Sequence, residues 1–261
     1  MFIDTHCHLN SEQLINQIDE IMNECQKQNV GLIIVPSYTY ETAIKALEIA
    51  EKYEHVYALI GYHPTEIKDY AEKEYRWLEE HMNHPKVIGV GEIGLDYHWD
   101  TTTKEEQRES FIKQIEIAKK YHKPIIIHSR DAMFDTLSIL KETNAEQVGG
   151  IMHSYAGSAE MAADFINLNF YISLGGPVTF LNAKTPKEVA EKVDIKYLLT
   201  ETDSPYLAPH PFRGTVNKPM NVCLVARKIA EIKQISVEEL NKQILQNVNK
   251  LFKLEVQDEN K

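Results

Sequence analysis

Cysteine is scarce: Cys7, Cys25 and Cys223 are the only three in 261 residues, and no two form a Cys-x-x-Cys pair. So sparse and odd a count excludes a disulfide scaffold and fits a reducing compartment. Long apolar runs are missing too. None reaches about 18 residues, and no basic segment followed by an apolar one opens the chain, so neither a membrane span nor an export signal is expected. Positive charge is in deficit, with 28 Lys and Arg against 39 Asp and Glu, a formal net charge of -11. That balance excludes a broad, repressor-like nucleic-acid groove. It leaves room for a small substrate end gripped by bound cations, because metals reverse the local sign. The expected location is cytoplasmic, with no membrane contact and no obligate protein partner.

What is present is an alternation. Strands are predicted to begin near Phe2, Val30, Val56, Val87, Ile125, Val148, Phe170 and Tyr197. Most are short apolar runs of the kind buried on both faces in parallel sheets. Amphipathic helices fall between them, clearest over Thr103 to Lys120, where Phe111, Ile115 and Ala118 form a stripe. Another is expected to start after Ser11, with Asn10 or Ser11 as its cap. Helices over Lys218 to Ile232 and Val237 to Phe252 close the chain. Eight such units in one chain of this size predict an α/β fold, a single (β/α)8 TIM barrel with an additional C-terminal helix. The expected domain is 1–254, followed by a polar, frayed tail over 255–261. A doubly wound open sheet is the rival, but it would show a Gly-rich first turn if it bound a dinucleotide. Here the first turn carries His6 and His8.

Catalysis in such barrels sits at the C-terminal ends of the strands. Of eleven histidines, five fall at such ends: His6 and His8 after the first, His63 after the third, His128 after the fifth, His153 after the sixth. His55, His81, His84 and His122 do not, and are expected in surface or capping roles. Glu92 is expected just after the fourth strand, and Glu201 and Asp203 after the eighth. His6, His8 and Asp203 could hold one metal ion, and His128 and His153 a second. Glu92 could bridge them, as carboxylates do between ions about 3.5–4 Å apart. An unpaired buried carboxylate is costly, so Glu92 between Gly91 and Ile93 calls for a cation. Asp203 could also take the proton of an attacking water, and Glu201 is a candidate for orienting a ligand. Arg130 and Arg213 are candidates for phosphate, and Tyr155 and Phe212 for stacking on a base.

The segments Ile3-Asp4-Thr5-His6-Cys7-His8-Leu9, Gly61-Tyr62-His63-Pro64, Gly91-Glu92-Ile93-Gly94-Leu95-Asp96-Tyr97, His128-Ser129-Arg130, His153-Ser154-Tyr155-Ala156-Gly157 and Glu201-Thr202-Asp203-Ser204-Pro205-Tyr206 keep one order along the chain. Together they resemble the signature segments of the TatD family of metal-dependent deoxyribonucleases, amidohydrolase-like TIM barrels. The resemblance implies a hydrolase with two divalent ions per subunit (zinc, manganese, magnesium or similar) held by His6, His8, Glu92, His128, His153 and Asp203. It implies Asp203 and Glu92 as catalytic, and His63 as a contact for substrate phosphate. Asn217, in Arg213-Gly214-Thr215-Val216-Asn217-Lys218-Pro219, is implied at the substrate as well. Where relatives often read His-Cys-Phe-Ser-Gly, this chain has Ser154 and Ala156. The implied partner is DNA, cleaved exonucleolytically at single-stranded or frayed ends. The alternative is a small phosphoester, lactone or amide hydrolysed on the same binuclear site.

Overall fold

The computed structural model describes residues 1–68 and 70–258. Its elements follow the expected alternation: β1 Phe2–Asp4, α1 Ile18–Lys27, β2 Val30–Pro36, α2 Tyr40–Lys52, β3 Val56–Ile60, α3 Glu72–His81, β4 Val87–Asp96, α4 Lys104–Lys120, β5 Ile125–Arg130, α5 Met133–Glu142, β6 Gly150–Met152, α6 Ala159–Ile166, β7 Phe170–Leu174, α7 Thr185–Lys192, β8 Leu198–Thr200, α8 Val222–Lys233 and α9 Val237–Phe252. The strands form one sheet in sequence order, β1 to β8. This is the parallel (β/α)8 barrel, with α9 as the additional C-terminal helix. No helix among the described residues is long and apolar enough to cross a membrane.

Contacts group the chain into two compact units. The first takes in Met1–Val35, Ser154–Ala163 and the described residues from Tyr171 on. In it β1 pairs with β2 and β7 with β8, all parallel. The first and last strands also meet: Thr5 N donates to Thr200 O at 3.0 Å, and Thr200 Oγ1 to Ile3 O at 2.8 Å. A buried amide on α9 holds that helix to β8, Asn247 Nδ2 donating to Leu198 O at 2.9 Å. The chain after β1 departs from expectation. A helix from Ser11 was predicted, but α1 begins only at Ile18, after a single tight turn over Ile15–Gln17. The reason is local: Ser11 N donates to His8 O, which folds the segment back against the site before a helix can start. The last three residues of the expected tail, 259–261, lie outside the described residues. Over 255–258 the chain is held rather than frayed. Asn249 exchanges two hydrogen bonds with Val256, and the Met1 amine pairs with Asp258.

The second unit is Pro36–His153 with Asp164–Phe170. Here β3, β4, β5 and β6 pair in turn, all parallel. Every residue of β4 is buried, as expected of a barrel strand with helices on its outer face and packed side chains on its inner one. Helix α4 starts from a capping box, Thr103 Oγ1 accepting from Glu106 N while Glu106 accepts from Thr103 N. Its buried face carries two glutamines among the apolar residues. Gln114 bonds both N and O of Tyr62, and Gln107 both N and O of Asp96. Those two amides fix the outgoing ends of β3 and β4, where functional residues lie.

Candidate metal centre

In the first unit, His6 Nε2 and His8 Nε2 lie 3.1 Å apart, so the two imidazoles, two residues apart at the strand end, point the same way. Asp203 Oδ1 is 3.4 Å from His8 Nε2 and 3.7 Å from His6 Nε2. The carboxylate arrives by a backbone detour. Strand β8 stops at Thr200, so Glu201 and Asp203 do not share a strand face. Asp203 has φ +55°, a left-handed conformation that aspartate tolerates better than most residues. Its N–H donates to His6 O at 2.9 Å, which sets the two segments in register. Asp4 braces the same junction from beneath. Its buried carboxylate accepts from Thr202 N at 2.9 Å and His6 N at 3.2 Å, and from Thr202 Oγ1. Burial pushes the Asp4 carboxyl well above its ordinary range, against those bonds. Glu201 is buried, its Oε1 accepting from Ser154 N at 2.7 Å, and its carboxylate lies within 4.8 Å of a His6 ring nitrogen, where a ligand-orienting group belongs.

In the second unit three imidazoles converge on one oxygen. Glu92 Oε1 is 2.9 Å from His128 Nδ1, 3.1 Å from His153 Nε2 and 3.7 Å from His63 Nε2. Glu92 does not follow strand β4, as expected, but lies inside it. Pairing with β5 slips there: Val90 faces Ile125, and the next matched residue, Ile93, faces Ile127. Gly94 permits the close approach that follows. It has φ +139°, and a Cβ placed on it would sit 2.0 Å from His128 O. His63, expected at the phosphate, stands beside these donors, its ring edge-on to His128 with centroids 4.3 Å apart.

Asp96 is the site residue that sequence reasoning missed. Its Oδ2 lies 2.8 Å from His128 Nε2, so that ring meets a carboxylate at each nitrogen. Burial pushes the Asp96 carboxyl up, but the hydrogen bond and charge of His128 outweigh it and hold it at about 2. Burial in turn works against charge on His128, yet Asp96 and Glu92 raise its pKa above the ordinary histidine value. The signal was available: Asp96 stands four residues after Glu92 in the quoted motif, on the same strand face.

The remaining candidates fall into two groups. Arg130 and Arg213 are exposed, each beside an aromatic ring: Arg130 5.7 Å from Trp99, Arg213 4.6 Å from Phe180. Asn217 and Tyr155 are buried. The Asn217 amide donates to Thr202 O and Tyr206 O, both at close to 2.9 Å, so it shapes the loop after β8 and has no hydrogen left for a phosphate. Tyr155 donates to Ser158 O and offers no stacking face, whereas Phe212 is exposed. His81 and His84 take the surface roles expected of them, on Trp77 and Glu51.

Comparison with known proteins adds an independent line. A family model described as TatD related DNase matches residues 3–253. A metal-dependent hydrolase of Bacillus subtilis, YabD, is 46% identical over 254 residues, covering 97% of this chain and all of the relative. The metal-dependent hydrolase YcfH of Escherichia coli K12 is 36% identical over 257 residues, covering 97% of this chain and 96% of its own. The crystal structure of YjjV, a TatD homologue from Escherichia coli K12, superposes with a TM-score of 0.92 at 30% identity, covering 97% and 98% of the two chains. Donor clusters of imidazole and carboxylate at strand ends are what a metal-dependent hydrolase needs, and with a family match over nearly its whole length this chain belongs to the TatD family of amidohydrolase-like barrels.

Proposed function

We propose that this hydrolase cleaves phosphodiester bonds of DNA, exonucleolytically at single-stranded or frayed ends, with two divalent ions. The observation that carries the reading is the gathering of imidazole and carboxylate donors into groups, among them His6–His8–Asp203 and His63–Glu92–His128. The donor chemistry fits such ions. Imidazole with carboxylate suits zinc, manganese, iron or cobalt, and the carboxylates also suit magnesium. His6, His8 and Asp203 would hold one ion, and Glu92, His128 and His153 the other. Ions bound there supply acidified water and positive charge opposite the phosphate oxygens.

Asp203 then has two tasks. It orients the attacking water and takes its proton. Its side chain is 13% exposed against 1% for His6, so it is the member of that cluster open to a water. His63 would donate to a phosphate oxygen; the 2.7 Å approach of its Nδ1 to Thr65 Oγ1, which orients the ring, supports that role. The exposed guanidiniums of Arg130 and Arg213 draw the chain of phosphates in. An acidic protein can act on DNA because attraction is concentrated at the ions and these few cations. Free, buried Cys7, Cys25 and Cys223 suit the reducing cytoplasm, where we place the protein.

The test is to strip the metal, add back zinc, manganese or magnesium singly, and follow 5′- and 3′-labelled single-stranded DNA. Cleavage that returns with metal, proceeds from one end and is lost in Asp203→Asn is the expected result. Two bound ions per chain without cleavage of any oligonucleotide would overturn the DNA reading in favour of a small ester or amide.

A further inference from the structure

Three consecutive residues after β4 are each fastened to the segment running from the end of β5 into the first turn of α5. Tyr97 Oη donates to Asp135 Oδ2 at 2.8 Å, His98 Nδ1 lies 3.5 Å from Asp131 Oδ2, and the Trp99 ring centroid is 5.7 Å from Arg130 Cζ. The same loop is tied on its other side to the segment that carries His63. Thr101 Oγ1 donates to Thr65 O at 3.0 Å and Thr102 Oγ1 to Pro64 O at 2.7 Å. Its root is held by the metal centre. Asp96 Oδ1 accepts from His98 N at 2.9 Å and Trp99 N at 3.2 Å, while Oδ2 meets His128.

Trp99 is nevertheless 55% exposed. A single exposed apolar side chain usually needs no explanation. An exposed indole whose backbone is locked on three sides is different, because rigidity without burial preserves a surface for something else. Arg130 beside it has no carboxylate partner among the described residues, and Asp131 and Asp135 nearby are engaged by His98 and Tyr97. A flat ring beside a guanidinium that holds no carboxylate among the described residues matches the two parts of a nucleotide, the base and its phosphate.

We propose that Trp99, with Arg130, is a stacking platform for an unpaired base and gives the site its preference for single-stranded ends. This rests on the phosphodiesterase reading above. A base inside a duplex has its faces covered by neighbours, so only a frayed or single-stranded end can offer one.

The experiment reads binding rather than turnover. The chain has two tryptophans, Trp77 and Trp99, so Trp77→Phe leaves Trp99 as the sole indole emitter. The metal-loaded variant is mixed by stopped flow, before turnover, with a short single-stranded oligonucleotide or with an abasic strand of equal length. Expected is quenching by the first and not by the second. Trp99→Ala in the otherwise native chain should weaken oligonucleotide binding by about 5- to 100-fold, the usual worth of one base–aromatic stack, and Trp99→Phe should retain most of it. Abasic-strand affinity should hardly change. Oligonucleotide binding without quenching, and with Trp99→Ala unaffected, would overturn the platform and leave the nuclease reading standing. Absence of oligonucleotide binding to the metal-loaded chain would overturn both.

Discussion

A carboxylate at each ring nitrogen leaves His128 little choice of orientation. Asp96 takes Nε2, so Nδ1 is the nitrogen turned to Glu92 and to any ion beside it. The pair also makes the metal-free chain pH-dependent. Asp96, held at about 2, contributes stability that is full above the ordinary carboxylate value of about 3.9 and lost as pH falls towards 2. His128, raised, contributes stability that is full below about 6.5 and lost as pH rises through its folded value. The two contributions therefore overlap most fully between about pH 4 and pH 6.5. Urea midpoints of the metal-free protein across that range should show it, and Asp96→Asn should flatten both flanks. At the next carboxylate, Glu92→Gln should cut hydrolysis at least about 10-fold. Metal counting on the same variant tests whether Glu92 is shared, as its motif implies: loss of both ions supports a bridge, and one retained ion confines it to its own cluster. Asp203→Asn should cost about 100-fold or more in kcat, the range of a lost general base.

Among the elements, α4 shows best how much could be read in advance and how much could not. Its bounds and its Phe111, Ile115 and Ala118 stripe follow from helical periodicity, and the structure starts it one residue later, with Thr103 as cap. Gln107 and Gln114, on the same buried face, carry no such message, because an amide facing backbone looks in sequence like any polar residue. Gln107→Leu would leave Asp96 N and O without partners and should cost about 1–3 kcal/mol in denaturant unfolding. It should also weaken metal at Glu92 more than at His6 and His8. The strand ends were legible because each His or carboxylate follows an apolar run. Exceptions arise where backbone geometry intervenes: the register slip that puts Glu92 inside β4, the left-handed turn at Asp203, and the amide bonds that enclose Asn217. Hydrophobic period is blind to all three, since each is made by backbone hydrogen bonding and not by the burial of apolar side chains.

For the whole molecule, a net charge of -11 together with the DNA substrate proposed above predicts an unusual salt response. Most such proteins lose affinity steeply with salt. Here long-range repulsion is what salt screens, so association with an oligonucleotide should hold or rise between about 20 and 150 mM salt at fixed metal. Metal should also stabilise the folded chain by mass action, about 2.7 kcal/mol at a free concentration 100 times Kd for one site. Thermal melting against zinc concentration checks this. The two clusters differ in how far apart their residues lie along the chain. One is drawn from His63 to His153, while the other joins His6 and His8 to Asp203. During synthesis, the ribosome therefore delivers every residue of the first of these fifty positions before Asp203 is translated. If each cluster takes an ion as proposed, the order in which the polypeptide is made would favour one being captured while the other's last ligand does not yet exist.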